Sequence, residues 1–240
     1  MRARRLLTWT LTGSLSAACL WVAGDRIAHG DTFQVQEVRF VGNSRAGDVH
    51  LKHLADIRLG THLFQADLDR AINGVTAHPW VDSASARRRF PGAIEIQIEE
   101  HHPRMLLALE NLWFVDERGD IFKRADTESL DYPAITGIEP TLFDEHPSIA
   151  RAIVSEAITL FDAISTDEEL SSTELSEIHF DDQTGFELVL RSGTRVIVGF
   201  SDPAPALDRL SRMRAHGLDL SSPQRIDLDV GSVAIATPLH

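Results

Sequence analysis

Cysteine is nearly absent: Cys19 is the only one in 240 residues. It falls inside an uncharged N-terminal stretch, so the rest of the chain has neither a disulfide framework nor thiol chemistry. Basic residues are scarce too. Lys and Arg number 23 against 36 Asp and Glu, a formal net charge of -13. Arg2, Arg4 and Arg5 hold three of the positive charges, which leaves -16 for everything after them. A surface this acidic repels phosphates and argues against nucleic acid as a partner. Catalytic signatures are missing as well: there is no nucleophile elbow, Walker loop or HExxH. Ser, His and Asp are frequent, but nothing in the sequence brings three of them together. No internal repeat or low-complexity tract is present.

Long uncharged runs are limited to one. Leu6 to Gly24 is 19 residues without a charge. At about 1.5 Å per residue, a helix of that length nearly spans a ~30 Å hydrocarbon core. It is only moderately apolar, since it includes Thr8, Thr10, Thr12, Gly13, Ser14 and Ser16. An uncleaved anchor with Arg2, Arg4 and Arg5 in the cytoplasm fits the positive-inside rule. A cleaved signal peptide fits the same charges and the small residues near Ser16-Ala17-Ala18 and Val22-Ala23-Gly24. Leu15 to Cys19 looks like a lipoprotein processing site with its Leu one place too far from the Cys. All three readings put residues 30–240 outside the cytoplasm. The anchor reading makes 1–5 cytoplasmic and 6–28 a single transmembrane helix.

What is there reads as globular: 43% apolar, 25% charged, enough chain for one or two domains. Val35, Val38 and Phe40 mark a first strand, ended by Gly42-Asn43. Asp48 to Ala55 is a weak helix. Asp67 caps a clearer one, with Leu68, Ala71, Ile72 and Val75 on one face. Val81 to Arg89 is a strand. Pro91-Gly92 predicts a turn with Gly92 at the positive-φ position of type II. Ile94, Ile96 and Ile98 alternate with Glu95, Gln97 and Glu99, the pattern of a half-buried strand. The order β-α-α-β-β predicts a three-stranded sheet with both helices on one side.

Pro103 marks a boundary. Beyond it, Met105–Leu109 and Leu112–Val115 are strands, and Arg118-Gly119 turns into Ile121-Phe122. Tyr132 to Gly137 reads as a loop. Ser148 is expected to cap a long helix with Ile149, Ala152, Ile153, Ala157, Leu160, Phe161 and Ile164 on one face. Strands follow around Ile178–Phe180, Phe186–Leu190 and Val196–Val198. Leu207, Leu210 and Met213 suggest a last helix. Ile226 to Ala236 is a closing strand pair or one bent strand. The fold class is therefore α+β, with a second, β-rich domain of mostly antiparallel strands and flanking helices.

The order of short motifs carries a resemblance. Val41-Gly42-Asn43 is followed by Gly60-Thr61-His62-Leu63-Phe64, His78-Pro79-Trp80-Val81, Arg89-Phe90-Pro91 and Glu100-His101-His102-Pro103. Then come Trp113 to Phe122 with its Val115-Asp116 and Gly119, Tyr132-Pro133-Ala134-Ile135-Thr136-Gly137, Gly193 to Gly199, and Ile226-Asp227-Leu228-Asp229-Val230. Together, behind one N-terminal apolar segment, these resemble the FtsQ (DivIB) family of bacterial cell-division proteins. The resemblance implies a POTRA domain over 33–101 and a C-terminal FtsQ-type domain over 103–240. It implies no enzymatic activity and no cofactor. It implies a divisome scaffold in the inner membrane at the septum, bulk periplasmic, whose partners are coiled-coil proteins of the FtsB/FtsL type and other division proteins. Asp229 and Val230 stand where the family usually has Arg and Tyr. The alternative is a POTRA-bearing assembly or secretion component of the envelope. The run of alternating barrel strands expected of one is missing after residue 101.

Docking is expected at sheet edges, by addition of a partner strand. The resemblance directs it to the last strand: Val230, Gly231, Ser232, Val233, Ala234, Ile235 and Ala236. Within it, Val233 and Ile235 would face the core. Arg87, Arg88 and Arg89, the only basic run after the N-terminus, do not share one face, because neighbours alternate along a strand. They read either as an exposed edge with salt bridges to the acidic surface or as candidates for a membrane-proximal contact with anionic headgroups or an acidic partner. His101 and His102 with Glu99, Glu100 and Asp116 could be drawn as a metal site. Neighbours on a strand point to opposite faces, so this reads as a polar strand end. Trp80 and Trp113 are expected in the core.

Overall fold

A computed structural model describes residues 33–126, 131–166, 174–200, 202–229 and 235–238. The chain divides between His101 and His102 into two compact units.

The first unit opens with β1 (Glu37–Val41), then α1 (Asp48–Ala55), α2 (Leu68–Thr76), β2 (Val81–Arg89) and β3 (Ala93–Glu100). The sheet order is β1-β3-β2, with β1 parallel and β2 antiparallel to β3. Asp67 caps α2 by accepting the Arg70 N–H at 3.0 Å. Ile94, Ile96 and Ile98 are all buried, as are Leu51, Ala71 and Val75 on the helices, so the period of two in β3 sets one covered face. Ala71 and Val75 carry the buried face of α2, while Leu68 and Ile72 are only half-buried. Gly92 differs from expectation. It is not among the positive-φ glycines, and the Phe90–Pro91 peptide is cis. Gly92 is needed for close approach: a Cβ there would lie 2.6 Å from the Gln34 carbonyl oxygen.

The second unit contains β4 (Pro103–Ala108), β5 (Leu112–Asp116), β6 (Ile121–Arg124), β7 (Ala134–Thr136), α3 (Pro140–Glu145), α4 (Pro147–Ser165), β8 (Leu175–Asp181), β9 (Gly185–Leu190), β10 (Arg195–Gly199), α5 (Pro203–Ala215), β11 (Gln224–Asp227) and β12 (Ile235–Pro238). Among the described residues, nine strands form one sheet in the order β12-β11-β10-β9-β8-β7-β4-β5-β6. Five of the eight pairings are antiparallel. The other three, β4 with β7, β7 with β8, and β10 with β11, are parallel. Parallel neighbours need a crossover. Helices supply it in two of the three cases, α4 between β7 and β8 and α5 between β10 and β11, while β4 reaches β7 by way of β5 and β6. Both helices share one hydrophobic cluster with Met105, Ile135, Leu188 and Ile226.

Three expectations change here. The Tyr132–Gly137 segment is not wholly a loop: its middle, β7, is a strand inside the sheet, with Ile135 fully buried. Gly137 ends it at φ +82°, and a Cβ there would sit 1.9 Å from the Phe180 oxygen. The long helix begins at Pro147 with His146 as its cap residue, so Ser148 is inside it. Its buried face runs through Ala150, Ile153, Val154, Ala157, Ile158, Phe161 and Ile164, whereas Ile149 is 51% exposed and Ala152 is exposed. The short α3 has no counterpart in the sequence pattern.

No described helix is long and apolar enough to cross a membrane. The 6–28 segment lies outside the described residues.

Candidate partner-docking site

The end of the nine-stranded sheet is assembled from β10, α5, β11 and β12. Asp202 starts α5 by accepting the Ala204 N–H at 3.0 Å, with Pro203 in the first turn. Leu207 and Leu210 bury the helix against the cluster. After the helix, Thr194, fully buried, steers the chain: its hydroxyl lies 2.7 Å from the Ser222 carbonyl and 3.1 Å from that of Leu220. That places Ile226 beside Val196 in register. The Leu228 N–H then donates to the Ile197 carbonyl at 3.0 Å, and the Arg209 guanidinium donates to the Leu228 carbonyl. Asp229 stands against Gly199, where an added Cβ would meet its Oδ1 at 2.5 Å.

β12 pairs antiparallel with β11, from Asp227 opposite Ile235 to Gln224 opposite Pro238. The closing element is thus a strand pair. β12 is the last strand of the order, so its outer backbone edge carries no further strand among the described residues. A row of N–H and C=O groups on such an edge is what an added strand pairs with. Of the docking residues expected from the sequence, Ile235 and Ala236 lie on β12. Val230, Gly231, Ser232, Val233 and Ala234 lie outside the described residues, as does the expected inward side chain of Val233.

The arginine run lies on β2, an edge strand of the smaller sheet. Arg87 and Arg89 share one face and both pair with Glu95. Their hydrogen bonds, Arg89 first and then Arg87, hold that carboxyl below the usual carboxylate range. Arg88 points the other way. Its Nε donates to the Leu63 carbonyl and a terminal nitrogen to that of Ala66, each at 2.8 Å.

The three carboxylates of the drawn metal site have separate duties. Glu99 accepts the Ser83 hydroxyl. Asp116, 2% exposed, closes its own turn by accepting the Arg118 and Asp120 N–H groups, each at 2.9 Å. Glu100, 9% exposed, receives the Ser44, Arg45 and Ala46 N–H groups and the Ser44 hydroxyl. No group of three metal-ligating side chains occurs among the described residues. Sequence reasoning missed the Glu100 clamp, although a signal existed: Glu100 continues the inward period of Ile94, Ile96 and Ile98. Trp80 is buried under the Arg45 guanidinium, 4.3 Å from its ring centroid, and Trp113 packs half-buried on the second core.

Comparison with known proteins draws both units together. Residues 33–101 match the family description "POTRA domain, FtsQ-type", and residues 107–229 match "Cell division protein FtsQ/DivIB, C-terminal". The chain belongs to the FtsQ/DivIB family. A Cell division protein FtsQ of Anaeromyxobacter sp. (strain K) is 35% identical, over 94% of this chain and 82% of its own length. One from Syntrophotalea carbinolica is 29% identical, over 88% of this chain and 78% of its own. The C-terminal family match stops at Asp229, just short of the segment that leads into β12.

Proposed function

We propose that this chain is a non-enzymatic, single-pass scaffold of the bacterial divisome. Residues 1–5 are cytoplasmic, 6–28 form the membrane anchor, and the domains at 33–101 and 103–240 are periplasmic, at the septum. The family is not known as an enzyme family, and its members carry the name of cell-division proteins. Partner docking is by strand addition at the β12 edge, on residues 230–236. The occupants are coiled-coil division proteins of the FtsB/FtsL type, with other divisome members elsewhere on the chain. Of the arginine run, Arg87 and Arg89 belong to a membrane-proximal contact, while Arg88 is engaged with the Leu63 and Ala66 carbonyls.

The observation that carries this reading is the β12 edge, which bears no further strand among the described residues, on a domain matching the family. Backbone groups there supply affinity and alternate side chains supply register. The test is a pull-down from cross-linked cells with the intact chain as bait, beside a chain truncated after Val230 and an Ala234→Pro variant. Proline removes a ladder donor. Loss of the coiled-coil proteins from both variants, with the first unit still folded, supports the reading. Full recovery and normal division with the truncated chain overturn docking at this edge.

A further inference from the structure

We propose that one end of the three-stranded unit is a bilayer-contact surface. Phe33, Phe64 and Phe90 enter the interfacial region of an anionic membrane, and Arg58, Arg87 and Arg89 meet its headgroups. The proposal rests on the anchor reading above and deepens the arginine contact stated there.

Three rings from distant parts of the unit converge. Phe33 and Phe90 lie 6.1 Å apart, Phe64 and Phe90 5.7 Å, and Phe33 and Phe64 6.2 Å, measured between ring centroids. Phe64 is 57% exposed and Phe90 64% exposed. Two large aromatic side chains left mostly in water, side by side, form a patch rather than scattered exposure. The patch is held firmly. The Leu63 N–H donates to the Phe33 carbonyl at 2.7 Å, and the Val35 N–H to that of Thr61 at 2.8 Å. Arg88 ties the same loop to β2 through the Leu63 and Ala66 carbonyls. These bonds fix the backbone under the rings without covering the rings.

Charge selects the occupant. The segments that bear the rings, 33–36, 57–66 and 83–94, hold four arginines and no carboxylate, in a chain of net charge -13. Glu95 pairs with both Arg87 and Arg89, so one negative charge meets two positive ones. A second copy meeting the same patch face to face would set arginine against arginine. An anionic headgroup layer complements them, and aromatic side chains over basic ones suit the interface between headgroups and acyl chains. Chain length agrees. From residue 28, the end of the anchor, five links reach Phe33, at most about 18 Å of extended chain. The first ring of the patch is thus tethered within reach of the bilayer surface.

The test uses the full chain with Cys19→Ser and Gln65→Cys, labelled at residue 65 with an environment-sensitive dye. It is reconstituted in phosphatidylcholine vesicles with and without phosphatidylglycerol, each carrying lipid spin-label quenchers. A label at Ala152 on α4 serves as the control. We expect quenching at residue 65 well above the control, reduced when phosphatidylglycerol is left out. It should fall to the control level in a Phe64→Ser, Phe90→Ser variant. Both residues are mostly exposed, so that variant should keep its circular dichroism and its amide protection in β3. Flotation separates the failures. A chain that does not float with vesicles ends the anchor reading and this proposal with it. A chain that floats but shows only control quenching ends this proposal alone. Cross-linking between copies through residue 65, without quenching, assigns the patch to a second copy and also overturns it.

Discussion

Replacing Glu100 by Gln removes a charge and one acceptor from a buried clamp while keeping its volume. Glu100 Oε1 accepts the Ala46 N–H at 2.7 Å and the Ser44 N–H at 2.9 Å. Oε2 accepts the Ser44 hydroxyl at 2.8 Å, and the Arg45 N–H is 3.0 Å from both oxygens. These bonds fasten the turn between β1 and α1 to the far end of β3. In Glu100→Gln, the new NH2 group faces donors and accepts nothing. Hydrogen bonds to a charged group contribute about 1.5–3 kcal/mol each, and an orphaned buried donor costs about 1–3 kcal/mol. Losing the charge from the set and orphaning one donor gives a loss of about 2–4 kcal/mol. At about 4–8 °C per kcal/mol for a domain of this size, the transition of the first unit falls by at least about 8 °C. Burial is the largest single influence on this carboxyl and pushes its pKa up. The N–H groups of Ala46, Arg45 and Ser44 and the Ser44 hydroxyl together outweigh it, and the net pKa is lowered. The clamp's contribution is therefore fully present above the ordinary glutamate pKa and is lost as pH falls through the lowered folded value. Calorimetry of the full chain, with hydrogen exchange at residues 44–46, reads both effects. The gap between wild type and variant should close in acid. An unchanged transition at neutral pH, with protection at 44–46 intact, would refute the reasoning.

Other outcomes follow from burial and close approach. Ile96→Ala, at a fully buried position, should cost about 2–5 kcal/mol; half-buried Ile72 should cost less than half of what Ile96 costs, and equal denaturation midpoints would contradict the packing. Gly137→Ala combines a positive φ with a clash on the Phe180 carbonyl and should cost about 3 kcal/mol or more, read as lost exchange protection in β7 and β8. Gly92→Val should destabilise the first unit by driving a Cβ into the Gln34 carbonyl, while Gly47→Ala, with open space at its Cβ, should move the urea midpoint far less.

Local chemistry made several elements legible in the chain itself. The strict alternation of Ile94, Ile96 and Ile98 permits one pleated strand with one buried face, and Asp67 ahead of an apolar i, i+3, i+4 pattern permits a capped helix. Both are short-range properties, carried by neighbours in sequence. The short-range view failed where partners are remote. Ala134-Ile135-Thr136 looks like part of a loop because three residues show no period. It is a strand only because β4 and β8 flank it. Periodicity does not separate Ile149 and Ala152 from the buried face of α4, because apolar residues occur on more than one side, and the sheet alone decides which side is covered. Two of the three parallel pairings follow from where α4 and α5 return the chain, which no strand records in its own residues. The candidate site divides the same way. Resemblance directed docking to the closing segment and the arginine run was visible as composition. That β12 ends the sheet depends on the order of nine strands. That Phe33, Phe64 and Phe90 share one patch depends on backbone bonds between segments far apart in the chain. Sequence determines what each segment can form; tertiary structure determines which edges and rings are left uncovered, because exposure is a property of neighbours in space.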